Sequence, residues 1–128
     1  MINQAITARI KHLQDFGNSL PHAKVYFRDD WKTIYFDLSG KMFGLMSPTA
    51  SETSIITLKG DPESNVELRE IYSDITAGYY ANKKHWNAIK LSTSELSDQE
   101  IEKMIAYSYK LVYKNLPLYV RQAFTASD

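Results

Sequence analysis

No cysteine occurs anywhere in the 128 residues. That absence removes disulfides, thiolate nucleophiles and thiolate metal sites together, and it fits a reducing compartment. Net charge is absent as well, because fifteen basic and fifteen acidic residues cancel. No global field therefore draws in nucleic acid or anionic membrane, and any such role must come from a local patch. No apolar run approaches membrane-spanning length, and the opening MINQAITARIKHLQDF lacks the continuous apolar core of a signal peptide. A cytoplasmic location with no membrane partner is the expectation. The five glycines are scattered singly, which leaves no glycine-rich phosphate loop. His12, His22 and His85 are too far apart for HExxH-type spacing. Neither a metal nor a cofactor is expected.

What is present suits one folded domain, 1–128. The 44% apolar and 23% charged composition is that of a globular chain, and at this length folding buries roughly two-thirds of the unfolded surface. Ile2, Ile6, Ile10, Leu13 and Phe16 recur at helical spacing between polar residues, so the first segment reads as an amphipathic helix. Gly17 is expected to end it in a left-handed conformation, with Pro21 discouraging a restart. His22 to Lys32 reads as an irregular or extended link.

From Thr33 the period changes to two. Ile34, Phe36 and Leu38 alternate with Tyr35 and Asp37, Ser39-Gly40 offers a tight turn, and 41–46 returns as the second arm of a hairpin. Ile55 to Lys59 is a third, central strand. Asp61-Pro62-Glu63 starts a helix: Asp accepts from orphan N–H groups, Pro loses no needed donor at the first helical position, and Glu favours the positive end. Leu68, Ile71, Tyr72 and Ile75 are its expected buried stripe. Tyr79-Tyr80-Ala81, a turn at Asn82-Lys83-Lys84, and Trp86 to Leu91 form a second hairpin or wing. Ser97 and Glu100 make a capping box ahead of a long helix that buries Ile101, Met104, Ile105, Leu111, Val112 and Leu116, with Pro117 limiting it. The expected fold is α+β, a two-layer sandwich of antiparallel sheet with helices on one face.

No catalytic constellation emerges, and the chain is not read as an enzyme. Asp29-Asp30 are adjacent acids of a solvated loop, and Ser39 lacks the GxSxG frame of a nucleophile elbow. Glu95, Asp98, Glu100 and Glu102 sit at a helix N-terminus, where acids are stabilising anyway. Tyr107, Tyr109 and Tyr113 fit core edges, with rings buried and hydroxyls wet. The one concentrated charge signal is Lys83-Lys84-His85-Trp86, where cations that could grip phosphate flank an indole that is expected to be buried as an anchor. Lys103, Lys110, Lys114 and Arg121 extend this patch if the last helix packs beside the wing.

Five segments resemble the MmcQ/YjbR family: Leu20-Pro21; Gly40-Lys41-Met42-Phe43-Gly44-Leu45; Leu58-Lys59-Gly60-Asp61-Pro62; Gly78 through Asn87; and Ser108 to Val112 with Leu116-Pro117. From first to last they span about four-fifths of the chain in the family's order, GKMF and NKKHWN being the most specific. The resemblance implies a frataxin-like (CyaY-like) α+β fold and a non-enzymatic DNA-binding role of double-wing type. Under it Lys83 and Lys84 contact phosphates, His85 assists, Trp86 positions the wing, and Lys41 and Lys59 are further candidates. The alternatives are a chaperone-like protein-interaction module that docks a partner on an exposed sheet face, and a small-molecule binder with a pocket around Lys59, Tyr79 and His85.

Overall fold

A computed structural model describes residues 2–78 and 83–127. Its elements in chain order are α1 (Ile2–Ser19), β1 (Ala23–Arg28), β2 (Thr33–Leu38), β3 (Lys41–Met46), β4 (Ile55–Lys59), α2 (Pro62–Ile71), β5 (Ile75–Ala77), β6 (Trp86–Lys90), α3 (Asp98–Lys114) and α4 (Leu118–Ser127). The strands form one antiparallel sheet in the order β1-β2-β3-β4-β6-β5. The architecture is the expected α+β one, with helices over one face of an antiparallel sheet.

Side-chain alternation assigns the two faces. Ile34, Phe36, Met46, Ile56, Leu58 and Ile89 point to the helices and are buried with Ile6, Leu13, Ile101 and Ile105. Tyr35, Leu45, Thr57 and Ala88, consecutive partners across β2, β3, β4 and β6, point the other way. The register shifts between Phe36 and Asp37, so Phe43 is the extra residue of a β-bulge. The bulge turns Phe43 into the core, edge-on to Phe36 and Tyr109. Ser39 and Gly40 both take positive φ, 52° and 85°, as a tight two-residue hairpin turn needs.

Three expectations are corrected. The 22–32 link contains β1, an edge strand paired with β2 from Ala23 to Arg28. Gly17 does not end α1, which runs on to Ser19; a Cβ there would lie 2.6 Å from Val25 Cγ2, so glycine is needed for close approach to β1. The second helix stops at Ile71, and extended backbone at Tyr72 turns Ile75 into a strand, leaving Ile71 66% exposed instead of buried. Beyond Pro117 the chain forms a further helix, α4, whose Phe124 stacks on His22 at 4.2 Å between ring centres. The strand partner of β6 is 75–77; Tyr79, Tyr80, Ala81 and Asn82, expected in the wing, lie outside the described residues.

Candidate nucleic-acid interface

Antiparallel pairing decides which charged residues meet. The ends of β2, β4 and β5 and the starts of β1, β3 and β6 all lie at one end of the sheet. Lys41 opens β3, Lys59 closes β4, and Lys83-Lys84-His85 is the turn leading into β6, so five of the six predicted site residues, four lysines and a histidine, come to this end. Trp86, the sixth, is Lys59's partner across the β4/β6 ladder and is only 8% exposed. It anchors the turn and presents little ring for stacking, in line with the burial expected of it.

A small hollow at the same end is lined by Lys59, Gly60, His85 and Trp86 together with Leu111 and Asn115 from the end of α3. The last helix thus packs beside the turn, and its final turns carry Lys110 and Lys114. Lys103 is placed elsewhere, on the wall of the α2/α3 cleft, and Arg121 lies on α4, where its Nε donates to the Leu116 carbonyl at 3.2 Å.

Six acids lie at the other end. Asp29 and Asp30 sit in the β1/β2 turn, Glu52 in the β3/β4 loop, Asp74 before β5, and Glu95 and Asp98 after β6. Cations near them are engaged: Arg9 with Asp98 at 2.7 Å, Arg28 with Asp30 at 2.6 Å, Lys32 with Asp29 at 3.1 Å. Lys41, Lys59 and Lys83 form no ion pair among the described residues. Of the acids near the basic end, Asp61 is occupied as the N-cap of α2, accepting from the Ser64 N–H and the Tyr107 hydroxyl, and Asp37 accepts from the Gly40 N–H. These hydrogen bonds hold the Asp61 carboxyl down at about 2, the Ser64 backbone bond contributing most.

The Lys83–His85 turn is tied down by groups that sequence reasoning missed. Asn65 on α2 donates Nδ2 to the Lys84 carbonyl at 3.0 Å, and the Gly60 N–H donates to the His85 carbonyl at 2.9 Å. Asn87 donates to the Asn65 carbonyl at 3.1 Å while its Oδ1 accepts from Arg69 at 2.7 Å. Asn65 and Asn87 are both buried, so each bond matters: an unpaired buried amide costs free energy that water cannot repay. An asparagine inside the helix, where it is a poor former, was the available signal.

The other constellations resolve as structural. Glu95 accepts from the backbone N–H groups of Ser73 and Asp74, Glu100 completes the capping box with Ser97, and Glu102 meets His12. Tyr109 donates to the Pro21 carbonyl at 2.7 Å. Among the described residues no group of three or more His, Asp or Glu could hold a metal ion, and no described helix is long and apolar enough to cross a membrane. The pocket expected around Lys59, Tyr79 and His85 falls partly outside the described residues. Lys59 also lines a cleft of about 510 Å³ between α2 and α3, floored by Leu58, Ile75 and Ile89.

The family model for YjbR matches residues 18–111. The chain belongs to the YjbR family. The match runs from the end of α1 into α3 and includes Lys41, Lys59, Lys83, Lys84, His85 and Trp86. The uncharacterized protein YjbR of Escherichia coli (strain K12) is 27% identical over 108 residues, covering 84% of this chain and 90% of its own length. The uncharacterized protein YbdF of Escherichia coli O157:H7 is 33% identical over 81 residues, covering 63% of this chain and 65% of its own. The crystal structure of the Deinococcus radiodurans protein DR2400, with a DUF419 domain, superposes with a TM-score of 0.80 at 27% identity, covering 91% of this chain and 87% of that one. A Pseudomonas syringae protein shares the fold at a TM-score of 0.66 and 23% identity, covering 79% and 96% of the two chains.

Proposed function

We propose that this chain is a non-enzymatic DNA-binding module that grips the phosphate backbone with the basic end of its sheet. The observation that carries the reading is the convergence of Lys41, Lys59, Lys83, Lys84 and His85 at one end of a neutral molecule, flanked by the Lys110 and Lys114 turns of α3, with Asp29, Asp30, Glu52, Asp74, Glu95 and Asp98 at the other. Such a field orients the protein toward a polyanion and concentrates attraction on one surface. Each lysine that neutralises a phosphate releases condensed counterions, which supplies affinity and makes it salt-dependent. Lys83 and Lys84 act on phosphates, His85 adds a cation when protonated, and Trp86 fixes the turn from beneath. Contacts of this kind position the protein without reading bases.

The test is fluorescence anisotropy with duplex DNA across a salt series. Lys83→Ala combined with Lys84→Ala should flatten the slope of log affinity against log salt by about 2, roughly 0.9 for each phosphate that is no longer neutralised. Binding should weaken similarly for unrelated sequences, and Lys90→Ala at the opposite end should leave the slope unchanged. Absence of binding at low salt, where attraction is strongest, would sink the proposal.

A further inference from the structure

On the helix side of the sheet, α2 packs over β5 and β6 while α3 packs over β2, β3 and β4. The two helices stand apart and leave a trough between them. Leu58, Ile75 and Ile89 form its floor, Leu68 and Ile71 line the α2 wall and Met104 lines the α3 wall, around about 510 Å³. That volume lies within the roughly 300–1,000 Å³ typical of small-ligand sites. Both ends of α2 are pinned to the α3 side. At its start Asp61 accepts the Tyr107 hydroxyl at 2.7 Å, and just past its end Glu95, in the loop before α3, accepts the Asp74 N–H at 2.8 Å. The trough is therefore preformed, and an occupant does not have to order it. Ile71 stands at its mouth 66% exposed, an apolar side chain that an occupant would take out of water.

Hydrogen bonding and charge decide what fits. The polar side chains that reach the trough from below, Asn65, Asn87 and Ser108, are already bonded within the protein, so the inner part of an occupant finds no free donor or acceptor and must be apolar. Lys59 and Lys103 also line the trough, and neither forms an ion pair among the described residues. The Lys59 carbonyl accepts the Ser108 hydroxyl at 2.6 Å, which sets Lys59 against α3. Lys103 lies five residues before Ser108, about 7.5 Å along the helix axis, a distance across which two flexible lysine stems reach one anionic group. The neighbouring acids are largely committed: Asp61 accepts from Ser64 and Tyr107, and Glu100 turns back to the Ser97 N–H. Glu67, exposed on the α2 wall, is the one other acid of the lining, which leaves the lysines in excess. We infer that the α2/α3 cleft binds a small amphipathic carboxylate, its apolar body on Leu58, Ile89 and Met104 and its head between Lys59 and Lys103. The unbranched Met104 side chain adapts to the shape of such a body. The site stands on its own geometry and does not depend on DNA binding by the basic end.

The chain's methionines report the event. Met104 lines this cleft, whereas Met42 lines a hollow over Leu45 and Thr57 on the face of the sheet away from the helices. The full chain with isotope-labelled methionine methyl groups would be titrated by NMR with octanoate, below its micelle-forming concentration, and in parallel with octylammonium. Octanoate should shift the Met104 methyl saturably and leave Met42 where it is, and octylammonium should bind far more weakly. Lys59→Gln combined with Lys103→Gln should weaken octanoate about 5- to 30-fold, as two partly screened ion pairs require, with the melting temperature unchanged. No saturable shift at Met104, or a shift at Met42 without one at Met104, would overturn the site. An equal response to octylammonium, or unchanged octanoate affinity in the folded double variant, would overturn the carboxylate. DNA binding by the basic end is measured separately and stands or falls on the duplex titration alone.

Discussion

The side-chain amide of Asn18 engages both backbone groups of Val25, donating Nδ2 to its carbonyl at 3.1 Å, where Gln14 Nε2 also donates at 3.5 Å, and accepting its N–H on Oδ1 at 2.8 Å. Val25 sits in the middle of β1, whose outer edge has no partner strand among the described residues. An open edge is a template for adding another chain, and occupying its central donor and acceptor with a side chain blunts that tendency. Asn18→Ala should therefore lower stability by about 1–3 kcal/mol, the net worth of two hydrogen bonds, and should also increase self-association. Chemical denaturation and sedimentation velocity on the same samples would check both. A destabilised variant that stays monomeric would show that Asn18 braces β1 without guarding it.

Gly17 faces the same strand one residue earlier. Replacement by Ala would put a methyl 2.6 Å from Val25 Cγ2 and 2.9 Å from Phe36 Cε2, and Phe36 is fully buried. Overpacking of this kind costs about 1–3 kcal/mol. Had Gly17 served as a helix terminus in the left-handed conformation, the cost would come from backbone strain alone and Asn would rescue it. A melting series of Gly17→Ala and Gly17→Asn distinguishes the two: steric crowding makes the larger Asn worse.

The sequence reading went astray where one pattern serves two structures. In β1 the apolar run Val25, Tyr26, Phe27 faces the helices at Val25 and solvent at Tyr26 and Phe27, so polar-apolar alternation is missing and only pairing with β2 makes the segment a strand. Leu68, Ile71 and Ile75 fit helical spacing, yet the chain leaves the helix at Tyr72, and no residue between them signals the break. The hairpin of β2 and β3, the two capped helix starts and the burial of Trp86 were legible because each rests on local chemistry. The lysine-rich turn was legible for the same reason. Its convergence with Lys41 and Lys59 depends on strand order, and the Asn65 and Asn87 network beneath it depends on contacts about twenty residues apart.

Trp86 and Lys83 should part company in stability. Truncating a buried aromatic typically costs about 3–5 kcal/mol, whereas an exposed lysine changes stability by less than about 0.5 kcal/mol. Trp86→Ala should show a much lower denaturation midpoint than Lys83→Ala, which should match the parent. Equal midpoints would mean that the ring at β6 contributes nothing to holding the turn.

The contact between Asp61 and Tyr107 sets an acid limit on stability. The carboxylate accepts the Tyr107 hydroxyl at 2.7 Å and the Ser64 N–H at 3.0 Å, and these bonds lower its pKa from 3.8 to about 2, the Ser64 backbone bond first. A carboxyl depressed on folding stabilises the native state above its unfolded pKa and loses that contribution as pH falls through the folded value. The window is therefore about pH 4 down to 2. Asp61→Asn keeps a capping side chain and removes the titration, so its melting temperature should fall less steeply than the parent's across that window. Tyr107→Phe deletes one of the bonds and should fall between them. The same bond keeps the proton on Tyr107, raising its phenol above 10, so its stabilising effect is present below pH 10 and is lost as pH rises beyond. Melting curves from pH 5 to 2 for the three proteins decide the matter: parallel curves for the parent and Asp61→Asn would show that the α2 cap and its link to α3 do not depend on the charge of Asp61.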